Sequence, residues 1–411
     1  MPQKLFKAQK RRIAPKRPTV EQPKKVVRCR QSSFIGTLFP AKQYDNKHLT
    51  AVSLFSGAGG LDMGFSMEGV NILWANDFDR DACETYRANI GDHIHCGDVR
   101  DLLEDLDRFN ERVDLLIGGP PCQGFSVAGK MNPADPRSQN VWLYVKALEL
   151  VRPRAFVMEN VKALGVLEKW SMVRDRLLAR MRELGYTVNY TVVNASDYNV
   201  PQNRERVLFI GFQKGIFAGE QVDLASLLRP YQVKSPSIRE VLTRLDRPGT
   251  GNNSHVCNAR ITFCSKPVMR KSPYAGMIFN GQGRPIRIDG YCSTVSASMG
   301  GNKTPVIDDW ELYQGKASFV EEYHRGLLDG SVKPEFKAAP KRLRRITVEE
   351  AAAIQTFPIG YKFCGSRTTM YKQIGNAVPC NLARQIARMM KSILEKSACI
   401  NMEETKNVSC N

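Results

Sequence analysis

The stretch Val113-Asp114-Leu115-Leu116-Ile117-Gly118-Gly119-Pro120-Pro121-Cys122-Gln123-Gly124-Phe125-Ser126 decides the fold. A short apolar run leads into two glycines, two prolines and a cysteine. Such a run, bounded by turn residues, reads as a buried strand, and the Gly/Pro block ends it abruptly. Cys122 therefore stands on a stiff turn at a strand's carboxyl end, the edge where open α/β sheets place their chemistry. Pro121 restricts the backbone just before the thiol, so its direction is pre-set. A lone cysteine is more often a small buried hydrophobe. Four turn-forming residues beside this one argue for a displayed thiol.

Working outward, strand-like and helix-like stretches alternate from residue 50. Val52–Phe55 reads as a strand, then a glycine turn and a helix over Leu61–Glu68. Asn71–Ala75 is a second strand, followed by a helix through Asp79–Asn89. After Val113–Ile117 come a helix over Trp142–Val151, a strand at Ala155–Met158 and a helix near 168–184. Val188–Val193 and Arg206–Phe212 supply two more strands. The βαβ rhythm predicts a doubly wound, mostly parallel sheet of Rossmann-like α/β class with helices on both faces. Residues 213–340 break it: rich in Gly, Pro, Ser and Asn, they read as a smaller, irregular, β-rich domain with helix periodicity only near 316–328. A helix returns at Thr347–Ile354, with Thr347 as N-cap and Glu349 and Glu350 in its first turn. A last helix spans Pro379–Leu394. The expected domains are thus an arm (1–48), a catalytic and cofactor-binding domain (49–212), the irregular domain (213–340), a return segment (341–396) and a tail (397–411).

Of 411 residues, 42% are apolar and 25% charged, as in a soluble globular protein. The net charge of +19 is high and implies an anionic partner. Residues 1–48 carry 13 Lys/Arg against 2 Asp/Glu, or +11, leaving +8 for the rest. That arm, with Lys10-Arg11-Arg12 and Lys16-Arg17, reads as disordered chain able to lie along phosphates, or as a solubilising tail. No stretch approaches the roughly 18 consecutive apolar residues of a membrane span. The 11 cysteines include no Cys-x-x-Cys pair, so no metal site is expected and free thiols in a reducing compartment are the simplest reading. A soluble, cytoplasmic monomer is expected.

Ser53-Leu54-Phe55-Ser56-Gly57-Ala58-Gly59-Gly60-Leu61 runs strand, glycine turn, helix start. Glycines let a ligand approach the backbone, and a helix amino terminus offers unpaired N–H groups. Asp77 ends the second strand about twenty residues on, where a carboxylate can hold ribose hydroxyls. Asp98 ends a third short stretch and could accept from an adenine amino group. Either aspartate alone reads as a solvated turn residue; three sites in sheet order point to an adenosine-type ligand. The spacing Gly57, Gly59, Gly60, Gly64 is not Gly-x-Gly-x-x-Gly, so a nucleoside without pyrophosphate fits better than a dinucleotide.

Together these segments resemble the C5-cytosine DNA methyltransferase family over nearly all of residues 50–390. Phe55–Gly60 looks like its S-adenosylmethionine loop and Pro120-Pro121-Cys122-Gln123 like its nucleophile motif. Glu159-Asn160-Val161 and Gln202-Asn203-Arg204-Glu205-Arg206 are similar to two further blocks. Arg345–Pro358 resembles the motif that opens the return segment, and Gln373–Pro379 the final motif over the cofactor. The family often carries Glu where this chain has Asp77. The resemblance implies S-adenosyl-L-methionine as cofactor, held by Phe55, Ser56, Gly57, Gly59, Gly60, Leu61, Asp77, Phe78, Asp98, Val99, Pro121, Asn376 and Ala377. It implies methyl transfer to carbon 5 of a flipped cytosine in a specific double-stranded DNA sequence, and a functional pairing with a restriction endonuclease.

The chemistry explains the residue types. Carbon 5 of cytosine is a poor nucleophile; a thiolate adding to carbon 6 makes the ring an enamine and splits one hard step into easier ones. Cys122 is the candidate thiolate. Glu159, protonated and kept so by burial, can donate to ring N3. Arg204 and Arg206 alternate on a strand and so face one way; the resemblance implies that they contact the carbonyl O2 and hold the catalytic groups. A duplex cytosine must leave the stack to be attacked, and Gln123–Asn140 reads as a mobile cover or a plain surface loop. Ser126, Lys130 and Arg137 in it, with Gln202 and Thr294, are the candidate DNA contacts. Thr294 matches the family's target-recognition motif. Lys266, Arg270, Lys271, Arg284, Arg287 and Lys303 could read bases or bind phosphates.

Three other readings remain open. One is the same chemistry on RNA, whose branch carries a Cys-Phe-Thr tripeptide absent here. The second is a catalytically silent DNA-binding relative. The third, a nucleotide-dependent oxidoreductase, has the glycine spacing against it.

Overall fold

The computed structural model describes residues 48–121, 139–216 and 222–408. Strand β1 (Thr50–Leu54) leads to helix α1 (Gly60–Met67), and β2 (Asn71–Asp77), α2 (Arg80–Asn89) and β3 (Ile94–Cys96) come next. Then come β4 (Leu115–Gly118), α3 (Asn140–Val151), β5 (Ala155–Val161), α4 (Lys162–Val166), α5 (Ser171–Glu183) and β6 (Tyr186–Asn194). A two-residue strand β7 (Gln202–Asn203) precedes β8 (Glu205–Gln213). Seven of these strands form one sheet in the order β3-β2-β1-β4-β5-β8-β6. The first five in that order are parallel, and β8 runs antiparallel to both β5 and β6. The expected α/β class and its mostly parallel sheet are present.

Alternate residues of each strand feed two different cores, the period-two rule applied to a sheet covered on both faces. Leu115 and Ile117 pack with Leu61, Phe65, Ile386 and Met390. Leu116 between them packs with Tyr144, Leu148, Phe156 and Leu177 on the opposite face. Each such side chain, fully buried, contributes roughly 1.5–3 kcal/mol. On the first face the sheet meets α1 and a long helix from the end of the chain. A Cβ on Gly64 would lie 2.4 Å from Ala383 Cβ and 2.5 Å from the Cys380 carbonyl, so the two helices touch backbone to backbone there.

Beyond β8 the chain forms α6 (Leu224–Leu228), α7 (Ile238–Leu242), β9 (Phe263–Val268), β10 (Met277–Phe279), β11 (Cys292–Ser293), β12 (Val306–Asp308), α8 (Asp309–Gln314), α9 (Phe319–Asp329) and β13 (Leu343–Arg345). The short strands pair in twos, β9 with β10, β11 with β7, and β12 with β13. The irregular, short-stranded character matches the sequence, as does α9. Helices α6, α7 and α8 were not foreseen, because five or six residues are too few to display a 3.6-residue period. Much of this region shares its core with the return segment: Ile238, Leu242, Ile288 and Val295 pack with Val348, Ile354, Tyr371 and Ile374.

That segment supplies α10 (Val348–Ile354), α11 (Arg367–Asn376) and α12 (Cys380–Val408). Thr347 caps α10 in a reciprocal box: its hydroxyl accepts from the Glu350 N–H, and its own N–H donates to Glu350 Oε2 at 2.9 Å. The last helix corrects the sequence reading. It continues past Leu394 to Val408, through the expected tail, over a stretch without Gly or Pro to stop it.

Candidate active site

Because β1 to β5 are parallel and β8 returns, the carboxyl ends of five strands and the amino end of β8 lie along one edge. Every candidate catalytic and cofactor residue on the sheet comes from this edge. At its centre β4 ends in Gly118, where a Cβ would meet the Leu54 carbonyl at 2.6 Å and the Tyr144 ring at 3.0 Å. Only glycine fits. A Cβ on Gly119 would stand 3.2 Å from Glu159 Oε2, and the Asn160 amide donates to the Pro120 carbonyl at 3.1 Å. The Pro-Pro turn is thereby held against the end of β5. Cys122 directly follows it and, with Ser126, Lys130 and Arg137, lies outside the described residues.

Glu159 is 8% exposed, and its Oε1 is 2.7 Å from Arg206 Nε. Strand register produces this pair. Val161 lies opposite Arg206 on β8, so Arg206 shares a sheet face with Val161 and with Glu159 two residues earlier.

Arg204 departs from expectation. It does not point with Arg206, because residue 204 falls in the break between β7 and β8, where alternation lapses. Its side chain is 2% exposed, and its guanidinium donates to the carbonyls of Val295, Gly375 and Ala377 at 3.0–3.1 Å. It is a buried clamp rather than a group facing a base. Gln202 is corrected likewise. It is fully buried, accepting from the Val295 N–H at 2.8 Å and donating to Gln355 Oε1 at 2.7 Å, which leaves it no surface to offer DNA. Gln355, which sequence reasoning missed, completes the node by donating to the Ile374 and Ala377 carbonyls at 2.8 and 2.9 Å. Its one sequence signal is a glutamine ending an apolar helix within Arg345–Pro358. Thr294 is exposed beside β7, its hydroxyl donating to the Asn203 carbonyl at 2.9 Å.

The glycine turn after β1 is built from unusual backbone. Phe55, Gly57 and Gly59 have φ of 55°, 55° and 83°, a region L-residues other than glycine seldom enter. A Cβ on Gly57 would meet nothing within 4 Å, so open space borders the loop. A Cβ on Gly60 would lie 2.4 Å from the Val378 carbonyl, so the segment after α11 rests on the first turn of α1. Asp77 braces the loop, accepting from the Gly57 and Asp79 N–H groups at 2.8 Å each. Burial lifts its carboxyl to about 6, against the lowering effect of those bonds. Phe78 beside it is 65% exposed, a large ring open to solvent.

Asp98 caps the turn after β3, but both its oxygens are taken by Arg100 at 2.7–3.0 Å. It is not presented freely as expected: the arginine two residues on folds back onto it. Such an exposed pair is screened by water, so a ligand can compete. Ser56, Leu61, Val99 and Ala377 are buried around the loop, Pro121 is half-buried and Asn376 exposed.

Beneath the loop lies a polar group that the sequence does not advertise. Asp62 is fully buried and accepts from Ser53 Oγ at 2.7 Å and Tyr86 OH at 2.8 Å. Burial raises its carboxyl to about 6. Ser53 is also 2.9 Å from Ser56 Oγ, so the network reaches the glycine turn. From above, Tyr361 donates to the Ala58 carbonyl at 2.6 Å.

Similarity to known proteins agrees with this geometry. Residues 49–392 match the C-5 cytosine-specific DNA methylase family, and the chain belongs to it. It is, in class, a DNA cytosine-5 methyltransferase. It is 31% identical over 350 residues to the type II methyltransferase M1.HphI of Haemophilus parahaemolyticus, covering 82% of this chain and 86% of that one. With M.FnuDI of Fusobacterium nucleatum it shares 31% identity over 360 residues, 86% and 97% of the two chains. The crystal structure of the Dnmt2 methyltransferase of S. pombe superposes with a TM-score of 0.59 at 18% identity, over 85% of this chain and 99% of that one, a likeness of fold. Among the described residues no helix is long and apolar enough to cross a membrane.

Proposed function

We propose that the chain methylates carbon 5 of a cytosine turned out of a specific double-stranded DNA sequence, with S-adenosyl-L-methionine as methyl donor and Cys122 as nucleophile. The observation that carries this is the Glu159–Arg206 pair at the sheet edge, one strand from the Pro120-Pro121 turn that leads into Cys122. Open space at Gly57, the exposed Phe78 ring and the Asp77 carboxylate fit an adenosine-type donor, so these residues, with Phe55, Ser56, Gly59–Leu61, Asp98, Val99, Pro121, Asn376 and Ala377, would hold it. The donor supplies an electrophilic methyl on a sulfonium.

The thiolate of Cys122 adds to carbon 6 of the ring, and the displaced electron pair is taken up at N3 by a proton that Glu159 delivers. Arg206 holds the Glu159 carboxyl in place and offers its remaining N–H groups to the carbonyl O2. Carbon 5, now nucleophilic, takes the methyl group. Loss of the carbon 5 proton to a base, with the N3 proton returned to Glu159, then restores the double bond as the carbon–sulfur bond breaks and Cys122 leaves. Ser126, Lys130, Arg137 and Thr294 would contact DNA, while Arg204 acts from within, tying Val295 to Gly375 and Ala377. The catalytic domain would be 49–212 completed by 341–396, with target reading in 213–340. The type II naming of the relatives supports a cellular role in shielding DNA from a partner endonuclease.

Conversion sequencing of DNA from cells expressing the chain tests the reading. The expected result is 5-methylcytosine at one fixed position of one short word. Unmodified DNA, from cells whose purified protein is folded and binds the donor, would overturn it.

A further inference from the structure

A cavity of about 390 Å³ opens in the region between β10 and β12, lined by Gln282, Arg284, Thr294, Ser296, Ser298 and Lys303 among others. Of the six cations that the sequence singles out in residues 213–340, only Arg284 and Lys303 line it. No Asp or Glu is in its wall. Three of the wall's hydroxyls are already engaged: Thr294 donates to the Asn203 carbonyl, and Ser296 and Ser298 lie 2.7 Å apart, Oγ to Oγ. The side chains of Gln282, Arg284 and Lys303 are exposed and make no hydrogen bond or ion pair among the described residues. The wall thus offers two positive charges and one amide, Gln282, and has no carboxylate.

The root of Arg284 is fixed. Its carbonyl accepts from the Val306 N–H at 3.0 Å, and the Ile286 N–H donates to the Val306 carbonyl at 2.9 Å. Next to it, a Cβ on Gly283 would fall 1.9 Å from the Thr304 carbonyl, so this backbone lies hard against the residues leading into β12. Gly283, Pro285 and Ile286 are buried on either side. An exposed guanidinium on a pinned backbone is preorganised to recognise a shape, whereas mobile surface cations serve as general phosphate contacts. The cavity also adjoins the catalytic edge, because β11 pairs with β7 and Thr294 bonds to Asn203, three residues before Arg206.

We infer that this cavity reads a guanine of the recognised word, with Arg284 donating in bidentate fashion to its O6 and N7 acceptors and Lys303 contacting a neighbouring phosphate. The inference rests on the proposed methyl transfer to DNA and names the specificity residue within it. Guanine is the base whose major-groove edge carries two acceptors side by side, which matches the arginine fork. Cytosine presents an amino donor there, for which the wall has no carboxylate, and adenine, with one donor and one acceptor, suits the Gln282 amide rather than the Arg284 fork. A lysine ammonium is a point charge suited to phosphate.

The test compares wild type, R284A, R284K and K303A on a randomised duplex library, with methylated positions read by conversion sequencing and donor affinity as the folding control. Wild type is expected to methylate one word containing a guanine outside the target cytosine. R284A and R284K should both lose preference at one such guanine by about tenfold or more, since lysine keeps the charge but not the fork. K303A should keep the word, lower methylation evenly across sequences and flatten its dependence on salt. If wild type is selective and both Arg284 variants keep its preference at every position, or relax only a position that is not guanine, this inference alone is overturned. If folded, donor-binding wild type methylates nothing, the catalytic reading falls and takes the inference with it.

Discussion

At the residue scale, the buried carboxyls set a pH dependence. Asp62 is raised from 3.8 to about 6 by burial, outweighing the hydrogen bonds from Ser53 and Tyr86 that favour its charge. Between those two values the folded chain holds a proton that the unfolded chain has released. The associated stability is complete below about pH 4 and is lost as pH rises through about 6. Two pKa units correspond to at most about 3 kcal/mol. Asp77 shifts in the same direction by burial. Asp62→Asn removes one of the two titrations, so its melting temperature should fall less between pH 4 and 7 than that of wild type. Scanning calorimetry across that range checks it; parallel curves for the two proteins would refute it.

At the element scale, the break between β7 and β8 has the largest consequence. It turns Arg204 inward, where one guanidinium joins the segment after β11 to the carboxyl end of α11 and the residue that follows it. Bonds from a charged donor are worth about 1.5–3 kcal/mol each, and an unsatisfied buried carbonyl costs about 1–3 kcal/mol. Arg204→Ala should therefore lower the urea-unfolding free energy by about 3 kcal/mol or more, with Arg204→Lys intermediate because an ammonium reaches fewer of the three carbonyls. A loss below about 1 kcal/mol for the alanine variant would show that the clamp is dispensable.

The same break marks where the sequence stopped being legible. The βαβ order, the glycine turn, the Thr347 cap and the placement of Glu159 could be read because they rest on local pattern and short turn chemistry. Arg204 and Arg206 could not be told apart, since alternation presumes an unbroken strand. Gln202 looked like surface because it sits among polar residues, and only its distant partners, Val295 and Gln355, account for its burial. Asp62 was invisible for a related reason: an acidic residue in a first helical turn ordinarily faces water. The partners that bury it, Tyr86 and Ser53, come from other elements.

At the scale of the whole molecule, the charge matches the polyanionic substrate of the family to which the chain belongs. The net +19 suits a polyanion, and more than half of it sits in residues 1–48, ahead of the catalytic sheet. What the edge of that sheet does to a base is the central claim, and a duplex carrying 5-fluorocytosine at the target position tests it most directly. Fluorine at carbon 5 cannot leave as a proton does, so after methyl transfer the carbon–sulfur bond has no route to break. In the presence of S-adenosylmethionine, wild type should form a denaturant-resistant protein–DNA adduct whose peptide map places the DNA on Cys122, and Cys122→Ala should form none. An adduct that persists in Cys122→Ala, or a wild-type enzyme that methylates ordinary DNA yet never becomes trapped, would contradict the account.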